Sequence, residues 1–215
     1  MIDFRIARPG AAIVASAALA MGLLAGCGTE NSDSPAAAPA PRTITAEPYK
    51  LDSSPESALT FFRNTNVFEG TVVSVLPDVR VTDLLDSGQK FEAVYTPVVI
   101  RVDSVYRGDL RPGSEVTIRS MGGEADGLRY VIHNAPAKET FRPSAKLVVF
   151  GAEIDTVDSE QAPAMTPNFV YRLAGTRFVD ATYADGPANG KAPGEVAMAD
   201  MRTKLQKMPK VPTRG

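Results

Sequence analysis

Between Val67 and Leu173 a succession of short stretches alternates apolar and polar residues, and this pattern constrains the fold more than anything else in the 215-residue chain. Successive side chains of an extended strand point to opposite faces, so such alternation means one buried face and one wet face. Glu115 to Ser120 shows it most cleanly. Val116 and Ile118 share one face there, with Thr117 and Arg119 on the other. Val94 to Val105 sets Val98, Ile100 and Val102 against Val99, Arg101 and Asp103. Val67 to Leu76 is dense in valine, and the sets Leu128/Tyr130/Ile132 and Phe169/Tyr171/Leu173 repeat the period. Lys146 to Ile154 contains the nearly continuous apolar run LVVFGAEI, which predicts a central strand. Turn chemistry separates these segments at Arg107-Gly108-Asp109, Pro112-Gly113, Gly122-Gly123 and Asp126-Gly127. Short strands at this spacing favour a small barrel or a sandwich.

The core must hold without disulfides, because the chain has a single cysteine, Cys27. A domain of about 150 residues can do so, since it buries roughly two thirds of its unfolded surface. Upstream of Cys27 come Arg5 and Arg8 and then an apolar run from Ala11 to Leu24, the layout of a secretory leader. The run is shorter than the ~20 apolar residues of a spanning helix. Arg5 and Arg8 are not adjacent, so the general export route is expected rather than a twin-arginine route.

The tetrad Leu24-Ala25-Gly26-Cys27 closes this leader and resembles the lipobox of bacterial lipoproteins. The resemblance implies that Leu24, Ala25 and Gly26 are read by the signal peptidase and that residues 1–26 are removed. It further implies that Cys27 carries a diacylglycerol thioether and an acylated amine, palmitate being typical. One acyl chain holds a protein marginally and two or more hold it firmly, at about 0.8 kcal/mol per buried methylene. The expected location is therefore the outer face of a cell membrane, with the envelope type deciding which membrane.

From Cys27 to Ser53 the sequence is rich in Pro, Ala and Ser and has no hydrophobic period, which predicts a disordered tether. About 25 such residues reach roughly 25–30 Å. The folded domain is expected over residues 54–208. It opens with a short helix that Ser54 caps, with Pro55 and Glu56 in the first turn and Ala58, Leu59, Phe61 and Phe62 as its apolar side. From Gly194 to Met208 the residues Met198, Met201, Leu205 and Met208 recur at helical spacing, predicting an amphipathic helix that packs on the sheet. Residues 209–215 read as a frayed tail.

Within 54–205 the segments VFEGTVVSV, YTPVVIRVDSVYRGDLRPGSEVTIRSMGGEADGLRYVIHNAP, FRPSAKLVVFG and YRLAGTRFV resemble a group of uncharacterised bacterial exported domains, themselves similar to the OB-like barrel of netrin modules. The markers are Gly70, the RGDLRPG turn, Gly122-Gly123, the Pro143 turn and Gly175. The resemblance implies a mainly β fold: a small OB-like antiparallel barrel with a short N-terminal helix and a C-terminal amphipathic helix. Tissue-metalloproteinase inhibitors share that barrel and chelate zinc through a free N-terminal cysteine amine. A lipidated Cys27 far from the barrel cannot do this, so protease inhibition is not carried over.

Chemistry-bearing patterns are sparse. The formal net charge is −2, with no basic cluster, which argues against nucleic acid as a partner. His133 is the only histidine, so with Cys27 acylated a zinc site has too few ligands, and neither metal nor cofactor is expected. Ser87-Gly88-Gln89-Lys90 matches S-x-x-K without a K-T-G partner. Glu92, Asp103, Glu115, Glu124 and Asp126 are carboxylates that alternation puts mostly on solvated faces. No phosphate-binding glycine motif occurs. Arg107-Gly108-Asp109 matches an integrin-read tripeptide but is first a hairpin turn. No catalytic residue is assigned. The expected function is a non-enzymatic binding or accessory module of the envelope, anchored by lipid on Cys27 and meeting an envelope protein or a cell-wall ligand. The segments from Arg80 to Lys90 and from Thr156 to Asn168 are its candidate loops. The alternative is an envelope hydrolase or transferase with a site built from scattered carboxylates, arginines and His133.

Overall fold

The computed structural model describes residues 40–47, 49–84, 90–155, 163–187 and 193–208. Leu24, Ala25, Gly26 and Cys27, the leader and the segment after Met208 lie outside the described residues. Five strands form a closed ring: β2 (Asn66–Val75), β4 (Lys90–Arg107), β5 (Glu115–Met121), β9 (Ala164–Ala174) and β8 (Lys146–Asp155), which returns to β2. Every neighbour in the ring is antiparallel except β5 and β9, which run parallel. This closed five-stranded barrel is consistent with an OB-like fold. It also settles the choice between barrel and sandwich.

Curvature has local causes. The β2–β4 ladder shifts register between Val67 and Phe68, between Glu69 and Gly70, and between Val72 and Ser74, and such bulges bend a strand enough to close a small ring. At Gly70 the two strands approach so closely that a Cβ would lie 2.6 Å from Ile100 Cγ2 and 2.7 Å from the Arg101 carbonyl oxygen. Only glycine fits that crossing.

Alternation sorts the side chains into two cores. Phe68, Val72, Val98, Ile100, Val102, Val116, Ile118, Leu147, Val149, Met165 and Val170 fill the barrel, and Phe141 from the 3-10 turn Lys138–Phe141 packs with them. The odd-numbered partners on the same strands face outward: Val67, Phe169 and Tyr171, with Val148 and Phe150 from β8. That outer face is covered by helix α1 (Pro55–Thr60), strands β10 (Arg177–Asp180) and β11 (Glu195–Ala197), and helix α2 (Met198–Gln206). Ser54 caps α1, accepting a hydrogen bond from the Ser57 amide at 3.3 Å. Met201, Leu205 and Met208 are buried in this outer core, so the methionine stripe packs on the chain's own barrel.

A third core lies where β4 outruns the barrel. Its first half pairs with β3 (Val79–Leu84), and a three-stranded sheet of β1 (Arg42–Ala46), β7 (Leu128–Ile132) and β6 (Gly123–Ala125) joins Val81, Ala93, Val94 and Tyr95 through Leu128, Tyr130 and Ile44.

Several boundaries differ from the sequence expectation. Arg42–Ala46 was expected in the disordered tether, yet it is strand β1, parallel to β7 from Arg42 opposite Leu128 to Ala46 opposite Ile132. The expected loop from Arg80 to Lys90 is mostly a hairpin, because Val79–Leu84 pairs residue by residue with β4 from Tyr95 back to Lys90. Likewise β9 begins at Ala164, inside the expected Thr156–Asn168 loop. Glu195–Ala197, expected as helix, is extended and pairs with β10.

Candidate functional site

The parallel seam of the barrel is its most open wall. β5 and β9 share one paired couple, Ile118 and Met165. Two residues beyond Met165 stands Pro167, which has no N–H to donate to a ladder. Past that rung lies a cavity of about 280 Å³ lined by Arg119 and Met121 from β5 and by Thr166, Pro167, Asn168 and Val170 from β9. Its roof comes from Asn134 to Pro136, after β7, and from Thr182 and Tyr183, after β10. The two roof segments are tied together where the Ala184 amide donates to the Ala135 carbonyl oxygen at 3.0 Å.

Arg119 forms the floor. It points outward from the barrel, since Ile118 points in, yet the roof leaves it only 2 % exposed. Its guanidinium carbon lies 5.8 Å from the centroid of the Tyr95 ring, and Nη1 donates to Thr166 Oγ1 at 3.4 Å. Tyr183 is held as a wall, with its hydroxyl accepting from the Leu51 amide at 2.7 Å and Lys50 Nζ 5.4 Å from its ring centroid. Burial raises the Tyr183 pKa above the ordinary phenol value. Thr182 Oγ1 accepts from the Val170 amide at 3.1 Å, which fixes the far end.

A second cavity of about 530 Å³ adjoins the first, sharing Met121, Ile132, Ala135 and Pro136. It is more polar. Asp78 accepts from Thr96 Oγ1 at 2.6 Å and from the Glu124 amide at 2.8 Å, and Ser120, Arg129 and Lys138 line the remainder. Gly123 presses so closely on Asp78 that a Cβ there would collide with the carboxylate.

A buried polar network fixes the chain entering the roof. Ser53 Oγ donates to Asp180 Oδ2 at 2.5 Å, Tyr171 donates to the Ser53 carbonyl oxygen at 2.5 Å, and the Thr182 amide donates to Asp180 Oδ1 at 2.9 Å. Burial, aided by the Asp180 charge, raises the Tyr171 pKa far above the ordinary phenol value.

The residues singled out in the sequence do not converge. His133 is exposed just after β7, and Asp185, whose pKa is lowered chiefly by the hydrogen bond from Lys50 at 2.7 Å, makes no catalytic pair with it. Glu92 is gripped by Arg80 at 2.8 Å, by Arg42, and by Lys90 at 3.3 Å. Those hydrogen bonds, Arg80 first, lower its pKa to about 2. Asp103 accepts from Thr71 Oγ1 at 2.7 Å. Of the Ser87-Gly88-Gln89-Lys90 match only Lys90 is described, as the first residue of β4. Arg107 of the Arg107-Gly108-Asp109 turn is buried and donates to the Asn64 carbonyl oxygen at 3.0 Å, so its side chain is turned away from any adhesive partner. Among the described residues no group of three His, Cys, Asp or Glu could hold a metal ion, and no helix is long and apolar enough to cross a membrane.

Sequence reasoning missed Arg119. Alternation puts it on the wet face of β5, and segments distant in sequence, the roof among them, make that face an interior. The available signal was Pro167 inside an otherwise alternating strand. No family model, no curated protein and no solved structure matches this chain.

Proposed function

We infer that this chain is an exported, lipid-anchored binding module of the cell envelope, and that its ligand enters the paired cavities beside the barrel seam. The observation that carries the reading is the roofed gap between β5 and β9, with a fixed guanidinium in its floor and a polar chamber adjoining it. Sites of this kind are concave and largely apolar, with a few placed polar groups, and they occur where a barrel opens. The Leu24-Ala25-Gly26-Cys27 lipobox supports the anchor, with the acyl chains on Cys27 as the membrane contact. Likeness to netrin-type exported barrels fits the closed ring and belongs to the same proposal.

The test is crosslinking of the full-length protein in intact cells, with captured material identified by mass spectrometry. Controls are Cys27→Ser, which releases the anchor, and Ala135→Phe, which fills the junction of the two cavities. The reading expects one recurrent envelope protein or wall fragment, reduced by Cys27→Ser and lost with Ala135→Phe. Capture that ignores Ala135→Phe overturns the cavity, and a Cys27→Ser protein that stays in the membrane fraction overturns the anchor.

A further inference from the structure

We propose that the paired cavities take a small zwitterion of the α-amino acid class, with its head group in the polar chamber and an apolar side chain in the seam cavity. This deepens the preceding proposal and rests on the cavities being the binding site. Charge argues for the head group. The charged residues lining the chamber are two acids, Asp78 and Glu124, and two bases, Arg129 and Lys138. A lone anion or a lone cation would face two like charges there, whereas a zwitterion meets opposite charge at both ends. Asp78 is fixed by Thr96 Oγ1 at 2.6 Å and by the Glu124 amide at 2.8 Å. A carboxylate has about four lone-pair sites, so two of them remain for a ligand ammonium. Glu124 and Arg129 stand opposite each other on β6 and β7, yet the side chains of Glu124, Arg129 and Lys138 form no ion pair with another described residue. The guanidinium and the ammonium are therefore open to a ligand carboxylate, and the Glu124 carboxylate to a ligand ammonium.

The seam cavity selects the side chain. Leu51, Met121, Ile132, Pro136, Pro167 and Val170 give it a largely apolar lining. Met121, Ile132, Ala135 and Pro136 line both cavities, so a ligand can pass from one into the other without leaving the protein. A volume of about 280 Å³ is roughly nine waters' worth at ~30 Å³ each, which admits a phenyl ring or a branched hydrocarbon and excludes a long acyl chain. The walls are set before a ligand arrives. The Tyr183 hydroxyl is held by the Leu51 amide, Thr182 by the Val170 amide, and the two roof segments by the bond from Ala184 to Ala135. Little ordering cost is then left for binding.

The probes are L-phenylalanine, 3-phenylpropanoate, which lacks the ammonium, and 2-phenylethylamine, which lacks the carboxylate. Each is titrated into the full chain carrying Cys27→Ser and followed by backbone amide resonances. L-Phenylalanine is expected to bind at least tenfold more tightly than either analogue and to shift the amides of Met121, Ile132, Ala135 and Tyr183. Lys138→Gln should weaken L-phenylalanine and 3-phenylpropanoate several-fold and leave 2-phenylethylamine unchanged. Glu124→Gln should weaken L-phenylalanine and 2-phenylethylamine and leave 3-phenylpropanoate unchanged. Both side chains are exposed, so the fold should tolerate both changes. Ala135→Phe, at the junction, should abolish all three titrations. An analogue that binds as tightly as L-phenylalanine overturns the zwitterion assignment while leaving the cavities as a site. Shifts that survive Ala135→Phe overturn the placement across the junction. No shift with any probe overturns the amino acid class, and the cavity reading is then decided by whether crosslinking is lost with Ala135→Phe.

Discussion

Glu69 shows how a single buried charge is made tolerable. It sits on β2 with its side chain 3 % exposed, and Arg202 of α2 meets it with two donors, Nε at 2.9 Å and Nη2 at 2.5 Å. Tyr106 adds a hydroxyl donor at 3.3 Å, and burial beside Glu69 raises the Tyr106 pKa. Removing only the cation strands a buried carboxylate, which costs about 3–5 kcal/mol for a fully enclosed pair. Arg202 is 41 % exposed, so solvent screening lowers the expected cost of Arg202→Ala to about 2–3 kcal/mol. Urea denaturation checks it, and adding Glu69→Leu should restore most of the loss. A change within about 0.5 kcal/mol would mean the pair behaves like an ordinary surface ion pair. At Gly70 the opposite error is available. An added methyl meets the Arg101 carbonyl oxygen at 2.7 Å, and backbone cannot swing aside as a side-chain tip can. Gly70→Ala should cost about 2–3 kcal/mol by the same assay, near the upper end for overpacking, whereas Gly113→Ala, in open space, should cost mainly its positive-φ strain.

At the scale of the element, strands with a long alternating pattern were legible, and strands whose reason for existing lies elsewhere in the chain were not. β2, β4, β5, β8 and β9 carry the barrel core and advertise it by period. β1 has five residues in a Pro- and Ala-rich context, and its partner β7 begins at Leu128, so nothing local marks it as a strand. β3 reads as polar loop because Arg80, Thr82 and Asp83 interrupt it, though it is half of a hairpin with β4. The start of α2 was placed too early for a related reason: Glu195–Ala197 takes its conformation from β10. Glu92 on β4 holds β1 and β3 together by binding Arg42 and Arg80 at once. Its folded pKa, about 2, lies below the ordinary 4.5. The linkage therefore stabilises the fold above pH 4.5 and is lost as pH falls from there towards 2. An acid titration of stability should show wild type above Glu92→Gln at neutral pH, with the two curves converging across that window. Hydrogen exchange of residues 42–46 should quicken over the same range. Parallel curves with a fixed offset would refute the linkage.

For the molecule as a whole, the barrel alone does not account for the fold. Its outer face presents Phe150, Phe169, Tyr171 and Phe178, each 1 % exposed or less, and what covers them comes largely from the last described residues. Met201, Leu205 and Met208 are buried there, and burying a side chain of that size stabilises by about 1.5–3 kcal/mol. Three of them give roughly 5–9 kcal/mol before ordering costs, comparable with the entire 5–15 kcal/mol stability of a typical domain. The methionine spacing announced this helix in the sequence, but not that the fold depends on it, because Phe169 and Tyr171 read there as ordinary strand residues. A chain ending after residue 194 loses β11 and α2 and leaves Glu69 without Arg202. It should fail to give a cooperative thermal transition, bind a hydrophobic dye, and sediment as aggregate, while the full chain melts in one step. The triple substitution Met201→Ser, Leu205→Ser and Met208→Ser keeps the length and should do the same. If either version melts cooperatively within a few degrees of the full chain, α2 is an ornament on a self-sufficient barrel, and the outer aromatic face would then be free to receive another partner.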